Sequence, residues 1–532
     1  MKIIPYLSEI PTGIYVPDKY RKFLRQNPIE KQEFPCYFDS LFTCSDLENI
    51  PNGKSVIIHA PVGSGKSTAL VKIAIKLPKT LTIVWVTNRK ALKQQTKILF
   101  LKEFGFNTSE WPAESIELAR TENIEITTYQ ELAARRHLQK YPDDTIFIFD
   151  EIHYLLNDAT FSYAPMRIYE WIRILREYTR RIYISATMEE VAETLGELER
   201  DGDGTSRIYR IYMLGNDCSH LQFRFYDYHD VQALANAINA VASDGNKAAV
   251  FVRDKERGRT LQDLLTDSEF IYAGSESESA LYEIAQTEQF TPKTMVSTKV
   301  LENGVSITDS RVNNVVIEEL DPVAWMQFLG RIRVSRSKPR KLTVWIPDYT
   351  EAELRQYLTL CHKRLQELRT VQNDPEGCMR LFERYHPDIC YFNGKPSVNF
   401  LAQRKLNALY SHIQELLDSN VPHAHIRFIL KMLNLPQEIS DSQFLTYDDI
   451  AAFKSGVRAA YEKFTASPEL KADRDQLAKD LIKVVSSTSY YKKKVTGSQL
   501  QLDRINDILT QADIQANIIS LGEAFKVVEL SS

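Results

Sequence analysis

Between residues 50 and 190, short runs of consecutive apolar residues alternate with stretches whose apolar positions recur every three to four residues. Consecutive apolar runs rich in Ile, Val and Phe are characteristic of strands buried on both faces, and the longer period is that of an amphipathic helix. The pattern predicts βα units building a parallel sheet, with strands at 55–59, 81–86, 124–127, 145–149 and 181–184. Residues 197–205 are acidic and carry two glycines, which predicts an exposed loop or linker edge. A second series follows, with strands at 222–228, 248–252, 293–296, 314–317 and 342–346 and helices at 231–241 and 255–265. Beyond Pro347 strand signals nearly vanish and helical periodicity takes over, at 351–369, 401–417 and 421–433. The expected class is α/β, organised as an N-terminal segment (1–48), two tandem α/β domains (49–205 and 206–350) and a helical accessory region (351–532).

Composition narrows the class without changing it. A chain of 532 residues corresponds to about three and a half domains of ordinary size. With 43% hydrophobic and 26% charged residues it is neither disordered, collagen-like nor a disulfide scaffold. The formal charge of −4, from 66 basic and 70 acidic residues, excludes a polycation that binds nucleic acid by bulk charge, though not a local basic channel. No stretch approaches the roughly 18 apolar residues of a membrane span, and the first residues lack a signal-peptide core, so a soluble, cytoplasmic protein without membrane partners is expected. Six scattered cysteines without a Cys-x-x-Cys pair predict reduced thiols. His423 and His425, with no cysteine or acidic set nearby, predict a helix start rather than a metal site.

Chemistry enters directly after the first predicted strand. Ala60-Pro61-Val62-Gly63-Ser64-Gly65-Lys66-Ser67-Thr68 stands between that strand and a helical pattern, which is the context of a phosphate-binding loop. Residues 61–68 would cradle the phosphates of ATP, with glycines turning backbone N–H groups inward and Lys66 neutralising the β/γ charge. Ser67 would ligate Mg²⁺. Eighty-four residues beyond Lys66, the strand at 145–149 delivers Asp150-Glu151-Ile152-His153. Two adjacent acids at a buried strand's tip are costly unless used. Asp150 would hold Mg²⁺ and Glu151 would polarise the attacking water.

These residues, in this order, resemble superfamily 2 helicases of the DEAD/DEAH-related type, with Asp-Glu-Ile-His as the second motif. The resemblance extends over roughly residues 50–346 and implies two RecA-like P-loop NTPase domains. Residues 86–92 resemble motif Ia, Ile126-Thr127-Thr128-Tyr129 the next strand-contacting motif, and Ser185-Ala186-Thr187 motif III, which with His153 would couple hydrolysis to movement. Phe251-Val252-Arg253-Asp254 resembles motif IV, residues 297–307 motif V, and residues 327–333, from Gln327 to Arg333, motif VI. The resemblance implies that Gln327, Arg331 and Arg333 act from the second domain on the γ-phosphate, that Gly304 borders the nucleotide, and that Thr87, Arg89, Thr128, Arg253 and Thr298 face nucleic acid. Motif VI departs from the common form, which has arginines four and seven places after its Gln: Val334 stands at the seventh, leaving Arg333 and Arg336 as rivals. That Gly-Arg-x-Arg form tilts the reading toward DNA over RNA. Residues 308–323 leave no room for the long strand-separating hairpin of many relatives.

The expectation is an ATP-dependent nucleic-acid helicase or translocase. Its rivals are an ATPase that remodels nucleoprotein complexes without unwinding, and a structural subunit with an inactive core. Residues 351–532, with 23 basic and 23 acidic residues, name no chemistry and are expected to supply a strand-guiding surface or the docking surface for a protein partner. Tyr490-Tyr491-Lys492-Lys493-Lys494 interleaves rings and charge as a base-stacking segment would, a solvated helix end being the competing reading.

Overall fold

The computed structural model describes residues 16–27, 29–31, 38, 42–61, 63–108, 111–119, 123–135, 141–215, 218–242, 245–272, 274, 284, 287–301, 306–334, 340–381, 387–392, 395–440, 443–444, 449–465, 471–486, 502–512, 514, 516–521 and 524–529. They group into two compact units. The larger holds the chain up to Val231 and Ala235–Gln443, and the smaller holds Gln232–Leu234 and the chain from Phe444.

The larger unit contains two parallel sheets. The first is built from β1 (Ile29–Lys31), β2 (Ser55–His59), β3 (Ile83–Thr87), β4 (Ile124–Thr128), β5 (Ile146–Asp150), β6 (Arg180–Ser185) and β7 (Ile208–Met213), in the order β1-β7-β2-β6-β5-β3-β4. Every residue of β2, β3 and β5 is buried. Alternate side chains feed two separate cores: Ile57, Val84, Val86, Phe147 and Phe149 go to one, and Val56, Ile58, Trp85, Ile146 and Ile148 to the other. A sheet covered on both faces is why these strands read as unbroken apolar runs. The second sheet comprises β8 (Leu221–Asp227), β9 (Lys247–Phe251), β10 (Ser268–Ile271), β11 (Thr294–Ser297), β12 (Val312–Ile317) and β13 (Leu342–Asp348), ordered β10-β11-β9-β12-β13-β8. Two parallel α/β domains in tandem are the predicted class.

Helices that bear on the site are α1 (Asp18–Arg25), α2 (Lys66–Ala74), α3 (Ala164–Leu175), α4 (Met188–Leu198), α5 (Lys255–Leu264), α6 (Pro322–Arg331), α7 (Glu351–Asn373), α8 (Phe400–Asp418) and α9 (Ala424–Met432).

Three expected boundaries differ from the structure. β7 lies beyond residue 205, yet it pairs with β2 in the first sheet, so that domain continues past the glycine-bearing loop. The loop turns the chain back, with Arg200 bridging Ser206 antiparallel, instead of releasing it into a second domain. The described part of segment 1–48 belongs to the first domain: Tyr20, Phe23 and Leu24 of α1 enter its core and β1 extends its sheet. The region 351–532 is divided, its first part belonging to the larger unit and the rest to the smaller. It also carries two antiparallel hairpins, β14 (Ile389–Phe392) with β15 (Lys395–Val398), and β16 (Ala516–Leu521) with β17 (Ala524–Glu529).

The smaller unit is built from helices Asp449–Thr465, Lys471–Ser486 and Leu502–Gln511 with the β16–β17 hairpin, around a core including Val457, Leu481, Ile505, Ile508 and Ile518. Among the described residues no helix is long and apolar enough to cross a membrane. The segment 490–494 lies outside the described residues.

Candidate functional site: a phosphate loop facing two arginines

β2 runs straight into the glycine loop and α2 begins at Lys66, so the loop sits where a parallel sheet's carboxyl end meets a helix N-terminus. Gly63 and Gly65 both have φ of +81°, a left-handed conformation that glycine adopts without strain. Lys66 is buried, its Nζ 3.3 Å from the Pro61 carbonyl. Burial lowers the Lys66 pKa, and Glu151 and Asp150 oppose that shift.

Those two acids lie at the tip of β5, beside the loop. Burial, followed by the neighbouring Glu151 charge, pushes Asp150 up to about 7. Burial also raises Glu151, but the charges of Lys66, Arg331 and Arg333 outweigh it and hold this carboxyl below its usual range. The pair is therefore pushed apart, Asp150 toward its protonated form and Glu151 toward its ionised one. Glu151 has φ of +55°, a conformation rare for a residue with a side chain and found where function constrains the backbone.

His153 joins this corner to the Ser185-Ala186-Thr187 turn. Its Nδ1 is 3.1 Å from Ser185 Oγ and 3.4 Å from Glu151 Oε2. Ser185 Oγ in turn accepts from the Thr187 backbone N–H at 3.0 Å. Burial pushes His153 down to about 4, so the ring is neutral. On the other side of β2, the Tyr20 hydroxyl is 2.9 Å from His59 Nδ1, tying α1 to the residue that precedes the loop.

The second domain supplies the opposing wall. Gln327 and Arg331 are buried on α6, and Arg331 Nη2 donates to Gln327 Oε1 at 2.9 Å. Arg333, just past that helix, donates through Nε and Nη2 to Ser306 Oγ at 3.2 and 3.1 Å. The Ile307 N–H donates to the Arg331 carbonyl and the Arg333 N–H to the Ile307 carbonyl, at 2.7 and 2.8 Å, which locks the two motif segments together. A methyl group on Gly63 would stand 3.4 Å from Arg333 Nη1, so this arginine reaches the phosphate loop itself. Burial and the adjacent Arg331 push Arg333 down to about 10. Ser64 Oγ and Arg333 Nη1 are buried without a hydrogen-bond partner among the described residues.

Of the sequence-predicted residues, Pro61, Gly63, Ser64, Gly65, Lys66, Ser67 and Thr68 form the loop and helix start, with Asp150, Glu151, His153, Ser185, Gln327, Arg331 and Arg333 around them. Val62, Gly304 and Arg336 lie outside the described residues. The proposed nucleic-acid set is corrected in part. Thr87 is fully buried, and Thr128 is a buried N-cap accepting from the Glu131 N–H at 3.1 Å, so neither side chain is presented at the surface. Arg89 pairs with the buried Asp158 at 2.8 Å, and Arg253 lies 4.9 Å over the Tyr357 ring; both stay partly exposed, as does Thr298. Tyr20 escaped the sequence reading because nothing in its local spacing marks it, and Ser306 was read only as part of motif V, without a role of its own.

Residues 22–190, just under a third of the chain, match the family described as "Type III restriction enzyme, res subunit". No curated protein matches the chain. Among solved structures, the chain is similar to S. cerevisiae Dbp5 bound to RNA and ADP BeF3 (15% identity, 58% of this chain and 82% of that one, TM-score 0.44). It is similar also to the DUF1998 helicase MrfA bound to DNA (20% identity, 57% and 48%, TM-score 0.42). A third is the Mycobacterium smegmatis helicase Lhr bound to ssDNA and AMP-PNP (17% identity, 63% and 49%, TM-score 0.40). The family match falls on the first domain and spans the phosphate loop, the Asp150–His153 segment and the Ser185-Ala186-Thr187 turn.

Proposed function

We propose that the protein is an ATP-dependent nucleic-acid helicase or translocase that hydrolyses ATP between its two α/β domains. The observation that carries this reading is the convergence of Arg331 and Arg333, from the second domain, on Lys66 and Glu151 of the first. A cleft lined by one domain's phosphate loop and the other's arginines responds to nucleotide by bringing the domains together, which is what a motor needs. Mg²⁺ fits the residues present: Ser67 and Asp150 would hold it, and the cost of ionising the buried Asp150 is what a divalent cation would offset. When bound it would supply charge neutralisation for the phosphates. Glu151, ionised and held against the neutral His153, is the group suited to orient and polarise water. Lys66, Arg331 and Arg333 bind the phosphates, and Ser185 and Thr187 transmit changes at His153 to the turn they form.

Nucleic acid is the proposed second substrate, met by the exposed parts of Arg89, Arg253 and Thr298, with DNA favoured by the form of the last motif. A cytoplasmic setting belongs to the same reading. Between Ile307 and Pro322 the one regular strand is β12, with no long hairpin, and this favours as a second reading an ATPase that remodels nucleoprotein complexes without separating strands. ATP turnover measured with single- and double-stranded DNA and RNA, at two salt concentrations, tests the substrate class, and displacement of a tailed duplex separates the two readings. Lys66→Ala is expected to lose nucleotide binding, whereas Glu151→Gln retains it and traps ATP. Equal loss of affinity in both variants would overturn the assigned roles.

A further inference from the structure

Helix α8 has one footing in each α/β domain. Its N-cap residue Asn399 donates through Nδ2 to the Ala159 carbonyl at 3.0 Å, and Leu401, Ala402 and Leu406 belong to the first domain's core. Further along the same helix, Ile413 and Leu416 pack with Leu320 and Tyr349 of the second domain. Within the first footing, next to Leu406, stands Lys405, 5% exposed. Its Nζ is 2.8 Å from Glu190 Oε2 and 2.8 Å from Asp321 Oδ2.

The two acids are not equivalent bystanders. Glu190 is on α4, three residues past Thr187 of the Ser185-Ala186-Thr187 turn. Asp321 is the N-cap of α6, the helix carrying Gln327 and Arg331, and its other oxygen accepts from the Val323 N–H at 3.1 Å. One buried cation thus joins the element behind the first domain's coupling turn to the start of the second domain's arginine helix. Other ionisable groups nearby include Glu189, beside Glu190 and raised by burial, Lys299, which pairs with Glu319 at 3.1 Å and acts on both acids from farther away, and His153 and His412, which burial keeps neutral. Without Lys405, two like charges from different domains would face each other in a region that excludes water, an arrangement that ionic groups tolerate poorly.

We propose that Lys405 is a positioning residue for the nucleotide cleft: by pairing at once with Glu190 and Asp321, it holds the arginine helix of the second domain in register with the phosphate loop of the first. Its effect on turnover rests on the ATPase reading above, whereas its effect on domain spacing does not. The test uses the full chain with spin labels introduced through unnatural amino acids at Lys72 and Glu256, one on each domain, and reads their distance by pulsed electron resonance alongside steady-state kinetics. Lys405→Met is expected to lengthen and broaden the distance distribution and to lower kcat by at least about tenfold, with nucleotide affinity changed by less than about threefold because the phosphate loop is untouched. Lys405→Arg, which keeps the charge, should restore the spacing and most of the turnover. Wild-type spacing and kcat in Lys405→Met, or an Arg variant as impaired as the Met variant, would overturn the proposal. Should Lys405→Met fail to fold by circular dichroism, Lys405→Met combined with Asp321→Asn removes one charge of each sign and is expected to show the same lengthening; unchanged spacing in that variant counts against the clasp. A wild-type protein that never hydrolyses ATP would defeat the ATPase reading while leaving the distance measurement to decide on Lys405.

Discussion

At the scale of single residues, the two described arginines of the last motif differ in reach. Arg333 approaches the backbone of Gly63, while Arg331 is held by Gln327 one helical turn back. Arg331→Ala and Arg333→Ala are each expected to cut turnover by about 10³-fold or more with smaller changes in nucleotide affinity. Single-turnover kinetics would check this, and a fully active Arg333→Ala would remove it from the site. Asp150 yields a pH prediction. Its folded pKa, about 7, lies above its ordinary 3.8, so it favours the folded state below about pH 4 and loses that contribution as pH rises through 7. Relative to wild type, ligand-free Asp150→Asn should therefore melt higher at pH 8 than at pH 5. A difference that shrinks with rising pH would contradict the burial argument. The loop glycines and the acids were legible because their chemistry is local in sequence. Lys405 was not: on a helix a lysine reads as solvated, and its burial depends on a partner 215 residues away.

At the scale of elements, the strands were legible wherever a sheet is covered on both faces, since Ile-Phe-Ile-Phe at 146–149 admits few other readings. β1, β7 and β10 were missed or misassigned because short or half-exposed strands take their place from their neighbours rather than from their own pattern. β7 reads Ile-Tyr-Arg-Ile-Tyr-Met, with no period-two alternation to mark its faces, and only pairing with β2 says which sheet it joins. The start of β6 carries a fully buried ion pair in which Arg181 Nε and Nη2 meet Glu199 Oε1 and Oε2 at 2.7 and 2.8 Å. The Tyr183 hydroxyl donates to the same carboxylate. Glu199→Ala leaves the guanidinium buried without its anion and should destabilise the first domain by about 3–5 kcal/mol. Urea midpoints followed by tryptophan fluorescence would measure it, and a shift of zero would mean that the pair is not closed in solution.

At the scale of the whole molecule, the sequence showed where the helical region starts but not where the motor ends. Amphipathic helices announce an apolar face without naming what it covers, and α8 covers part of the motor itself. A chain ending at Pro347 loses Leu401, Ala402 and Leu406, which complete the first domain's core, and is expected to aggregate. A chain ending at Gln443 keeps the larger unit intact and should remain monodisperse and bind nucleotide. Size-exclusion chromatography and nucleotide titration of both would decide, and a well-behaved, nucleotide-binding 1–347 chain would show that α8 is dispensable for the motor.

The order of strands in the first sheet also imposes a schedule on synthesis. β2, which leads into the phosphate loop, lies between β6 and β7, so one of its edges has no partner until residue 213 has been made. At about 5–20 residues per second, roughly 8–30 seconds separate the end of β2 from the end of β7 on the ribosome. During that interval an apolar strand presents an open hydrogen-bonding edge, a state prone to pairing with other chains. The lysine that closes the two acids arrives later still, so the nascent first domain must be kept from misassociating well before the arginine wall exists to complete its cleft.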